Sequence, residues 1–484
     1  MESNSSPRLP HLHYVLIQTD SKRTTLAQQS GLFTPNHITR ENGFRIHHIE
    51  SSQRRIHHFI AQRALRKRGK RANSHTFEIH RLPDEKCSAF HKLGWDSNNF
   101  VYRVQLVPIE GTPAKFINEL PPQQPGTTAL PSSTNEVVAR VSNVEAILNE
   151  DVRVENEVAA MCLVRDALGS LDTMLVPDVF AWGRPTSETP GWIIQEFKAG
   201  VQLDKAFGNM DPETQQKIQK QIARVFKLIQ DCLLPASIVG YGGLAFAKSG
   251  EIITGPTPIP CGGPFKTLED MYAQMMRYQL DDSKTSPILN GWDDEMQKRL
   301  DRFLAEGIVP LVRDNSVARQ TFVHGDLDTY NMLVDPISSK LTAILDFDLS
   351  HIASPAEEYF YSLTNLGSML AGPFDDNPDE ILLRKCLLEG YDKVDNTFGG
   401  DEGGKINWIA ARITDHEFIQ AGVLRPSEIK GCGELANLKW FLEYLSPPYF
   451  HMPRWVEGHK QEFIDKKKQA IRSTIEKYLD HWRF

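Results

Sequence analysis

HGDLDTYN, residues 324–331, lies between two short apolar segments, TFV and MLV, that are of strand length. A turn of sequence DPISSK follows, and then a further apolar segment, LTAILDFD, which ends in Asp346 and Asp348. This alternation predicts strand, loop, strand, turn and strand. We therefore expect Asp326, Asn331 and Asp346 on loops that the hairpin strands hold close together.

The side chains of this segment are those that phosphoryl transfer requires. A carboxylate must orient the attacking hydroxyl and accept its proton, and hard oxygen ligands must hold Mg²⁺ against the nucleotide phosphates. Protein kinases place the catalytic aspartate five residues before a metal-binding asparagine, and a second metal-binding aspartate on the next hairpin. Asp326, Asn331 and Asp346 match that spacing.

The pattern H-G-D-x-x-x-x-N followed by I-x-D-F resembles the signature of the aminoglycoside phosphotransferase family, which includes choline-kinase-like relatives. The longer segment HGDLDTYNMLVD…LTAILDFDLSHIASPAEEYFYSL is similar to fungal members of that family. By motif, the resemblance covers about residues 88–365. It implies an α+β, bilobal, protein-kinase-like fold, with a small β-rich N-lobe that has one main helix and a larger helical C-lobe.

The same resemblance assigns roles within the motif. Asp326 is the expected catalytic base, and Asn331 and Asp346 are the expected Mg²⁺ ligands. His324 is expected to be a structural member of the loop, and Tyr330 is expected to pack beneath it.

Two further acids of this segment leave alternatives open. Asp328 and Asp348 either support the metal site from behind or cap a turn, and we favour the capping role for Asp328. Aspartate and asparagine in a surface loop are ordinary turn residues. The functional interpretation therefore depends on Asp346 and on a matching lobe upstream.

A loop that covers the nucleotide phosphates is expected in LGWDSNNFVYRV, residues 93–104. The segment contains Gly94 but lacks the G-x-G-x-x-G pattern of protein kinases. Ser97, Asn98 and Asn99 are candidate hydrogen-bond donors to phosphate, and Ser97 and Asn99 are the ones we select. An ordinary polar hairpin is the alternative.

A cation that reaches the phosphates is expected in VVARV, where Arg140 stands in place of the lysine of most kinases. Arginine keeps its charge and can contact two oxygens, but its geometry differs from that of lysine. Its expected partner is Glu157, in the helix candidate at 150–168, with Glu155 as the competitor. An exposed strand arginine is the alternative.

The segment WIIQEFKAG reads as the strand that enters the hinge between the lobes. By the resemblance, backbone groups around Glu196 and Phe197 meet the edge of the nucleotide base. Side-chain identity matters little at such a contact, so the signal is weak.

The chain of 484 residues divides by composition into three parts. Residues 1–85 form a basic extension that we expect to be disordered. Residues 86–197 form the N-lobe, with a Pro-, Gly- and Ser-rich flexible insertion at 108–136. Residues 198–484 form the helical C-lobe, which includes a helix that begins at the capping residue Asp211.

Composition excludes several classes of protein. The net charge of −8 argues against a nucleic-acid partner, and no apolar run is long enough to span a membrane. Six scattered cysteines without a CxxC pair suggest an intracellular, reducing compartment, with the cytoplasm as the default. The basic segment 54–71 leaves a nuclear or mitochondrial address open, although a solvated arm is the simpler interpretation.

These features predict an enzyme that uses ATP and Mg²⁺ to move the γ-phosphate to a hydroxyl of a small molecule. The alternative is a catalytically weak or inactive pseudokinase that binds a nucleotide or a protein. Protein-kinase activity is disfavoured because HGD replaces HRD. In addition, SPAEEYFYSL follows Asp346 too closely to leave room for an activation loop.

Overall fold

The structure is a computed structural model that describes residues 87–94, 97–106, 124–131, 133–374, 377–394 and 406–484, with only the backbone described for 87–90 and 454. The basic extension predicted at 1–85 lies outside the described residues. So does most of the insertion predicted at 108–136.

The N-lobe is built on a sheet of five antiparallel strands, β1 (Cys87–Leu93), β2 (Asn99–Leu106), β3 (Glu136–Ser142), β4 (Val179–Gly183) and β5 (Trp192–Glu196). Their spatial order is β1-β2-β3-β5-β4. Alternate residues of the central strand, Ala139 and Val141, pack with Val104 and Ile194 on one face. This face follows from the two-residue period of a strand.

One long helix accompanies the sheet, α1 (Arg153–Ala167). Its side chains Val158, Met161 and Val164 belong to the large core that also contains the helices of the C-lobe. The small core on the other side of the sheet is separate. Helix α1 is therefore packed against the C-lobe as well as against its own sheet.

The C-lobe is mainly helical, as predicted. The helix that follows Asp211 begins where its sequence indicates, since the Asp211 side chain accepts a hydrogen bond from Thr214 N at 3.0 Å. The described helices of this lobe are α2 (Leu203–Phe207), α3 (Pro212–Gln230), α4 (Leu268–Thr285), α5 (Asp294–Glu306), α6 (Ile308–Val312), α7 (Glu358–Tyr361), α8 (Pro378–Glu389), α9 (Trp408–Ala421), α10 (Cys432–Leu445), α11 (Pro453–Gly458) and α12 (Gln461–His481).

Short strands of the C-lobe carry the 324–331 motif. They are β6 (Val201–Gln202), β7 (Gly243–Phe246), β8 (Ile252–Gly255), β9 (Thr321–Val323), β10 (Met332–Asp335), β11 (Lys340–Ile344) and β12 (His351–Ala353). Strand β10 pairs with β11 and with β6, and β9 pairs with β12. The predicted order of strand, loop, strand, turn and strand is therefore found. The α+β, bilobal fold class is confirmed.

The last part of the insertion that was predicted to be flexible at 108–136 makes defined contacts in the structure. Trp182 donates from Nε1 to Pro125 O at 2.9 Å, and Thr128 N donates to Val179 O at 2.8 Å. Gly126 lies directly against Val158 of α1. This Pro- and Gly-rich segment therefore packs tightly between β4 and α1.

Among the described helices, none combines the length and the apolar character that a membrane crossing requires.

The packing of Gly126 can be tested by adding one methyl group. Gly126 has a φ of +73°, and a Cβ there would lie 2.7 Å from Val158 Cγ1 and 2.9 Å from Phe246 Cζ. We expect Gly126→Ala to lower the free energy of unfolding by about 2 kcal/mol or more, measured by urea denaturation. The matched control is Gly208→Ala, because Gly208 has a φ of −66° and open space around it. Equal effects of the two substitutions would contradict the packing of the 124–131 segment.

Candidate functional site

The loop that opens the motif is held from below by Glu358 of α7. One carboxylate accepts from His324 N at 2.6 Å and from Gly325 N at 3.2 Å. Gly325 has a φ of +82°, and a Cβ there would lie 2.8 Å from Leu349 O. A glycine is therefore required where the loop passes close to the segment after β11.

Asp326, the predicted catalytic base, has both carboxylate oxygens engaged. Asn331 donates from Nδ2 to Asp326 Oδ2 at 2.9 Å and to Asp326 O at 2.9 Å. The Tyr330 hydroxyl donates to Asp326 Oδ1, which is a more direct role than the packing expected from the sequence. Burial raises the pKa of Asp326 well above its usual range; the hydrogen bond from Tyr330 opposes this, and the charge of Asp346 adds to it.

Asp346 is brought next to this pair by the backbone. Leu345 N donates to Asn331 O at 2.8 Å, so the end of β11 lies beside the start of β10. Asp346 itself has a φ of +68°, which is uncommon for a residue with a side chain. Its side chain is 32% exposed, so it stands at the open edge of the site.

Arg140 connects the two lobes. Its NH1 contacts Glu157 Oε1 at 2.8 Å and its NH2 contacts Asp346 Oδ1 at 2.7 Å. The structure thus pairs Arg140 with Glu157. Glu155, the competitor, contacts Arg184 at 2.5 Å and accepts from Phe246 N at 3.0 Å.

Asp348 has a larger role than the sequence suggested. It is buried, and its Oδ2 accepts from Asn99 Nδ2 at 2.7 Å and from Arg153 NH2 at 3.0 Å. Burial by itself would raise the pKa of Asp348, but Arg153 and Arg140 together hold it below its usual range. Asp348 is therefore a charged buried group that ties Asn99, at the start of β2, and Arg153, at the start of α1, to the C-lobe.

Asn99 was predicted to donate to phosphate through its backbone or its side chain, and the structure shows contacts of the side chain within the protein. Its Nδ2 is directed to Asp348 and its Oδ1 accepts from Arg153 at 3.1 Å, so both ends of the amide are engaged within the protein.

Arg153 is the residue that sequence reasoning missed. It is completely buried and also donates to Glu150 Oε1 at 2.8 Å and to Asn98 O at 2.8 Å. Nothing in its local pattern distinguishes it from an exposed arginine at the start of a helix. Only the packing of α1 against the segment around Asp348 reveals its role.

Helix α1 is also fixed to the C-lobe by Asn156, which is buried. Its Nδ2 donates to Ser350 O at 2.9 Å, and its Oδ1 accepts from Leu244 N at 2.6 Å. Together with Glu155 and Glu157, three consecutive polar residues therefore hold α1 in one position.

The remaining predicted residues make their described contacts away from this cluster. Ser97 O accepts from Asn143 Nδ2 at 2.7 Å. Glu196 N donates to Asp178 O at 2.7 Å, so this backbone donor is already used within the sheet. The Phe197 ring lies under the Arg103 guanidinium, 4.2 Å from its centroid.

Glu157, Asp346 and Asp348 each place a carboxylate oxygen within 4.8 Å of the others, and the Arg140 guanidinium contacts all three. The candidate ligands for a divalent cation are therefore the oxygens that these contacts leave. Because Asn331 directs its nitrogen to Asp326, its oxygen Oδ1 is the atom left for a cation. Because Arg140 contacts Asp346 Oδ1, Oδ2 of that carboxylate is left as well. Amide and carboxylate oxygens are suitable ligands for Mg²⁺.

Comparison with known proteins defines the class. The model of the phosphotransferase enzyme family, APH, matches residues 131–395, which is more than half of the chain. The chain therefore belongs to the phosphotransferase enzyme family, and the predicted enzyme class is confirmed. No curated protein matches the chain.

Solved structures of low sequence identity are also similar. ADP-bound APH(2″)-Ib has 11% identity and a TM-score of 0.44, with 87% of this chain and 98% of that chain covered. The streptomycin–ATP complex of APH(2″)-IIa has 10% identity and a TM-score of 0.39, with 81% and 94% covered. APH(3″)-Id from Streptomyces rimosus ATCC10970 has 12% identity and a TM-score of 0.33, with 73% and 94% covered. The family match, and not these structures, defines the class of the chain.

The buried ion pair of Arg153 gives a prediction on stability. Arg153→Met leaves Asp348 without one of its two cations, and we expect the free energy of unfolding to fall by about 3–5 kcal/mol. Arg103→Met is the control, since Arg103 is 36% exposed and pairs with Glu136 at the surface. That change should cost less than about 1 kcal/mol. Similar losses in urea denaturation would contradict the structural role of Arg153.

His324 gives a prediction on pH. Burial lowers the pKa of His324 from 6.5 to about 3, so the folded protein keeps the ring neutral while the unfolded chain takes up a proton below about pH 6.5. The free energy of unfolding should therefore fall by about 1.4 kcal/mol for each pH unit between 6.5 and 3 on account of this residue. In His324→Asn this part of the slope should disappear. Parallel stability curves for both proteins would contradict the assignment.

Proposed function

We propose that this phosphotransferase uses ATP with Mg²⁺ to phosphorylate a hydroxyl group of a small molecule. The observation that carries the proposal is the convergence of Asp326, Asn331 and Asp346 at the junction of the two lobes, where Arg140 joins Asp346 to α1. The spacing of these residues follows the kinase pattern of catalytic base and metal ligands.

In this proposal Asp326 orients the acceptor hydroxyl and takes up its proton. Asn331 and Tyr330 fix the carboxylate by hydrogen bonds to its two oxygens, so it has one orientation. Positioning of this kind reduces the entropy that the reacting groups must lose in the transition state. Burial raises the pKa of Asp326, and the hydrogen bond from Tyr330 lowers it. Tyr330 therefore favours the charged form of the carboxylate, which a base needs.

Asn331 Oδ1 and Asp346 Oδ2 would hold Mg²⁺, which supplies positive charge to the transferred phosphoryl group when it is bound. Arg140 contributes a second positive charge from the N-lobe side. Its Nε is buried and has no hydrogen-bond partner among the described residues. Glu157 holds this arginine in place, as the predicted pair requires.

A catalytically inactive pseudokinase is the weaker proposal. Arginine in place of lysine and the absence of a glycine-rich pattern favour it, whereas the joined positions of Asp326, Asn331 and Asp346 favour catalysis. The five cysteines whose side chains the structure describes are free, which supports an intracellular compartment. The division into a 1–85 extension, an N-lobe at 86–197 and a C-lobe at 198–484 stays a prediction.

The role of Asp326 can be tested by an isosteric change. We expect Asp326→Asn to lower the rate of phosphoryl transfer roughly 10²- to 10⁴-fold, because the base is lost. Nucleotide binding in the presence of Mg²⁺, measured by calorimetry, should stay within about threefold of wild type. Turnover is measured as ADP release with a panel of alcohols.

Asp204→Asn is the matched control, because Asp204 is an exposed aspartate near the start of α2. It should retain full turnover. Equal turnover in Asp326→Asn and Asp204→Asn would remove Asp326 from its proposed role. Nucleotide binding with no turnover in any variant or in wild type would favour the pseudokinase.

A further inference from the structure

A cavity that is partly open to solvent adjoins the loop of the proposed catalytic base; its empty volume of about 640 Å³ includes open solvent. Gly325, the residue before Asp326, forms part of its wall, and so does Leu349 from the segment after β11. The opposite walls come from α4, α7, α10 and the loop after β8.

Most of the side chains that line this cavity are apolar. Pro258 and Ile259 come from the loop after β8, Met271 and Met275 come from α4, and Phe360 comes from α7. Methionine adapts its shape to an apolar ligand better than a branched side chain does. The walls therefore favour a ligand with an apolar body.

One charged pair stands in the cavity wall on α10. Lys439 Nζ lies 2.9 Å from Glu443 Oε1, and both side chains are largely buried. The same oxygen accepts from the Tyr361 hydroxyl at 2.8 Å, and Lys439 also lies over the Tyr361 ring, 5.2 Å from its centroid. The Glu443 carboxylate is thus already neutralised by a cation and a hydroxyl. The lysine ammonium has three donors, of which Glu443 takes one.

A second pair in the wall is balanced in the same way. His351 Nε2 lies 3.1 Å from Glu357 Oε2, and His351 Nδ1 lies 2.8 Å from Leu349 O. Both ring nitrogens face acceptors, and only the imidazolium form donates from both. Burial opposes protonation, but the hydrogen bond and charge of Glu357 outweigh it and raise the pKa of His351. Among the residues that line the cavity, Glu443 is therefore paired with Lys439 and Glu357 Oε2 with His351, whereas Glu357 Oε1 is buried without a hydrogen-bond partner among the described residues.

We propose that this cavity is the acceptor site and that it selects alcohols with an apolar body and no cationic group. The inference rests on the proposed phosphoryl transfer, because Gly325, the residue before Asp326, lines the cavity. The ligand hydroxyl points toward Asp326, and a neutral or anionic polar group at the other end accepts from Lys439.

The physical reason is the cost of desolvation. An ammonium group that enters the cavity loses water and meets carboxylates already paired with Lys439 and His351. An unpaired charge in such surroundings is unfavourable by several kcal/mol. Polycationic acceptors, which need free carboxylates, are thereby excluded.

Three compounds with the same eight-carbon chain test this selectivity: the terminal diol, the hydroxy acid and the amino alcohol. Binding to wild-type protein is measured by calorimetry without nucleotide, and ADP release is measured separately with ATP and Mg²⁺. We expect the diol and the hydroxy acid to bind, and the amino alcohol to bind at least about tenfold more weakly. Equal or tighter binding of the amino alcohol would overturn the proposal, as would a lack of binding by all three.

A pair of variants locates the selectivity in the cavity. Lys439→Met leaves the Glu443 carboxylate without its cation, so the preference should reverse toward the amino alcohol, by at least about tenfold relative to the hydroxy acid. In the double variant Lys439→Met/Glu443→Gln the carboxylate is gone as well, and this reversal should disappear. Circular dichroism and thermal unfolding report whether each variant is folded. A folded Lys439→Met protein with the wild-type preference would overturn the proposal.

The two readouts separate this proposal from the proposed function. Binding in the expected order without ADP release would contradict the kinase activity and leave the selectivity of the cavity intact. ADP release with an aminoglycoside, but not with the diol or the hydroxy acid, would support the kinase activity and overturn the selectivity.

Discussion

The site depends on one guanidinium group held between carboxylates. Glu157, Asp346 and Asp348 lie close enough to repel one another strongly, and Arg140 is the cation that contacts all three, at 2.8, 2.7 and 3.7 Å. Because the Arg140 guanidinium is buried, the loss of Arg140 or of a carboxylate that it contacts would leave an uncompensated charge away from water. The same contacts bring strand β3, helix α1 and the end of β11 to one point. Charge compensation and the alignment of the two lobes are thus one requirement.

Helix α1 follows from this constraint. Its apolar residues enter the core of the C-lobe, and its polar residues Glu155 and Asn156 accept from backbone donors of β7. Asn156 also donates to the backbone beyond Asp348. A helix with these connections cannot swing outward without exposing several buried donors and acceptors. The Arg140–Glu157 ion pair is therefore a fixed part of the folded structure of this protein.

The sequence predicted the fold class and the motif well because the signals there are local. Asp326 and Asn331 lie on one short loop, which leads directly into β10. Asp346 follows β11, and β11 pairs with β10. Arg140 and Glu157 could be proposed from their positions in a strand and a helix. By contrast, Tyr330 looked like a packing residue, and Asn99 looked like a phosphate donor, until the structure showed which atoms face them. The Pro- and Gly-rich segment near 124–131 suggested flexibility because composition does not reveal a neighbour such as Trp182.

By itself, then, the sequence determined the order of strands, loops and helices, the family, and the three oxygen-bearing side chains of the motif. These side chains lie close together in the sequence, and over so few residues the backbone geometry leaves little freedom in where they are placed. Only the tertiary structure decided that Arg153 is buried beside Asp348, and that Lys439 and Glu443 neutralise each other in the wall of a cavity next to Gly325. These arrangements join residues that are far apart in the chain. Which residues come into contact depends on how the lobes and the helices pack against one another.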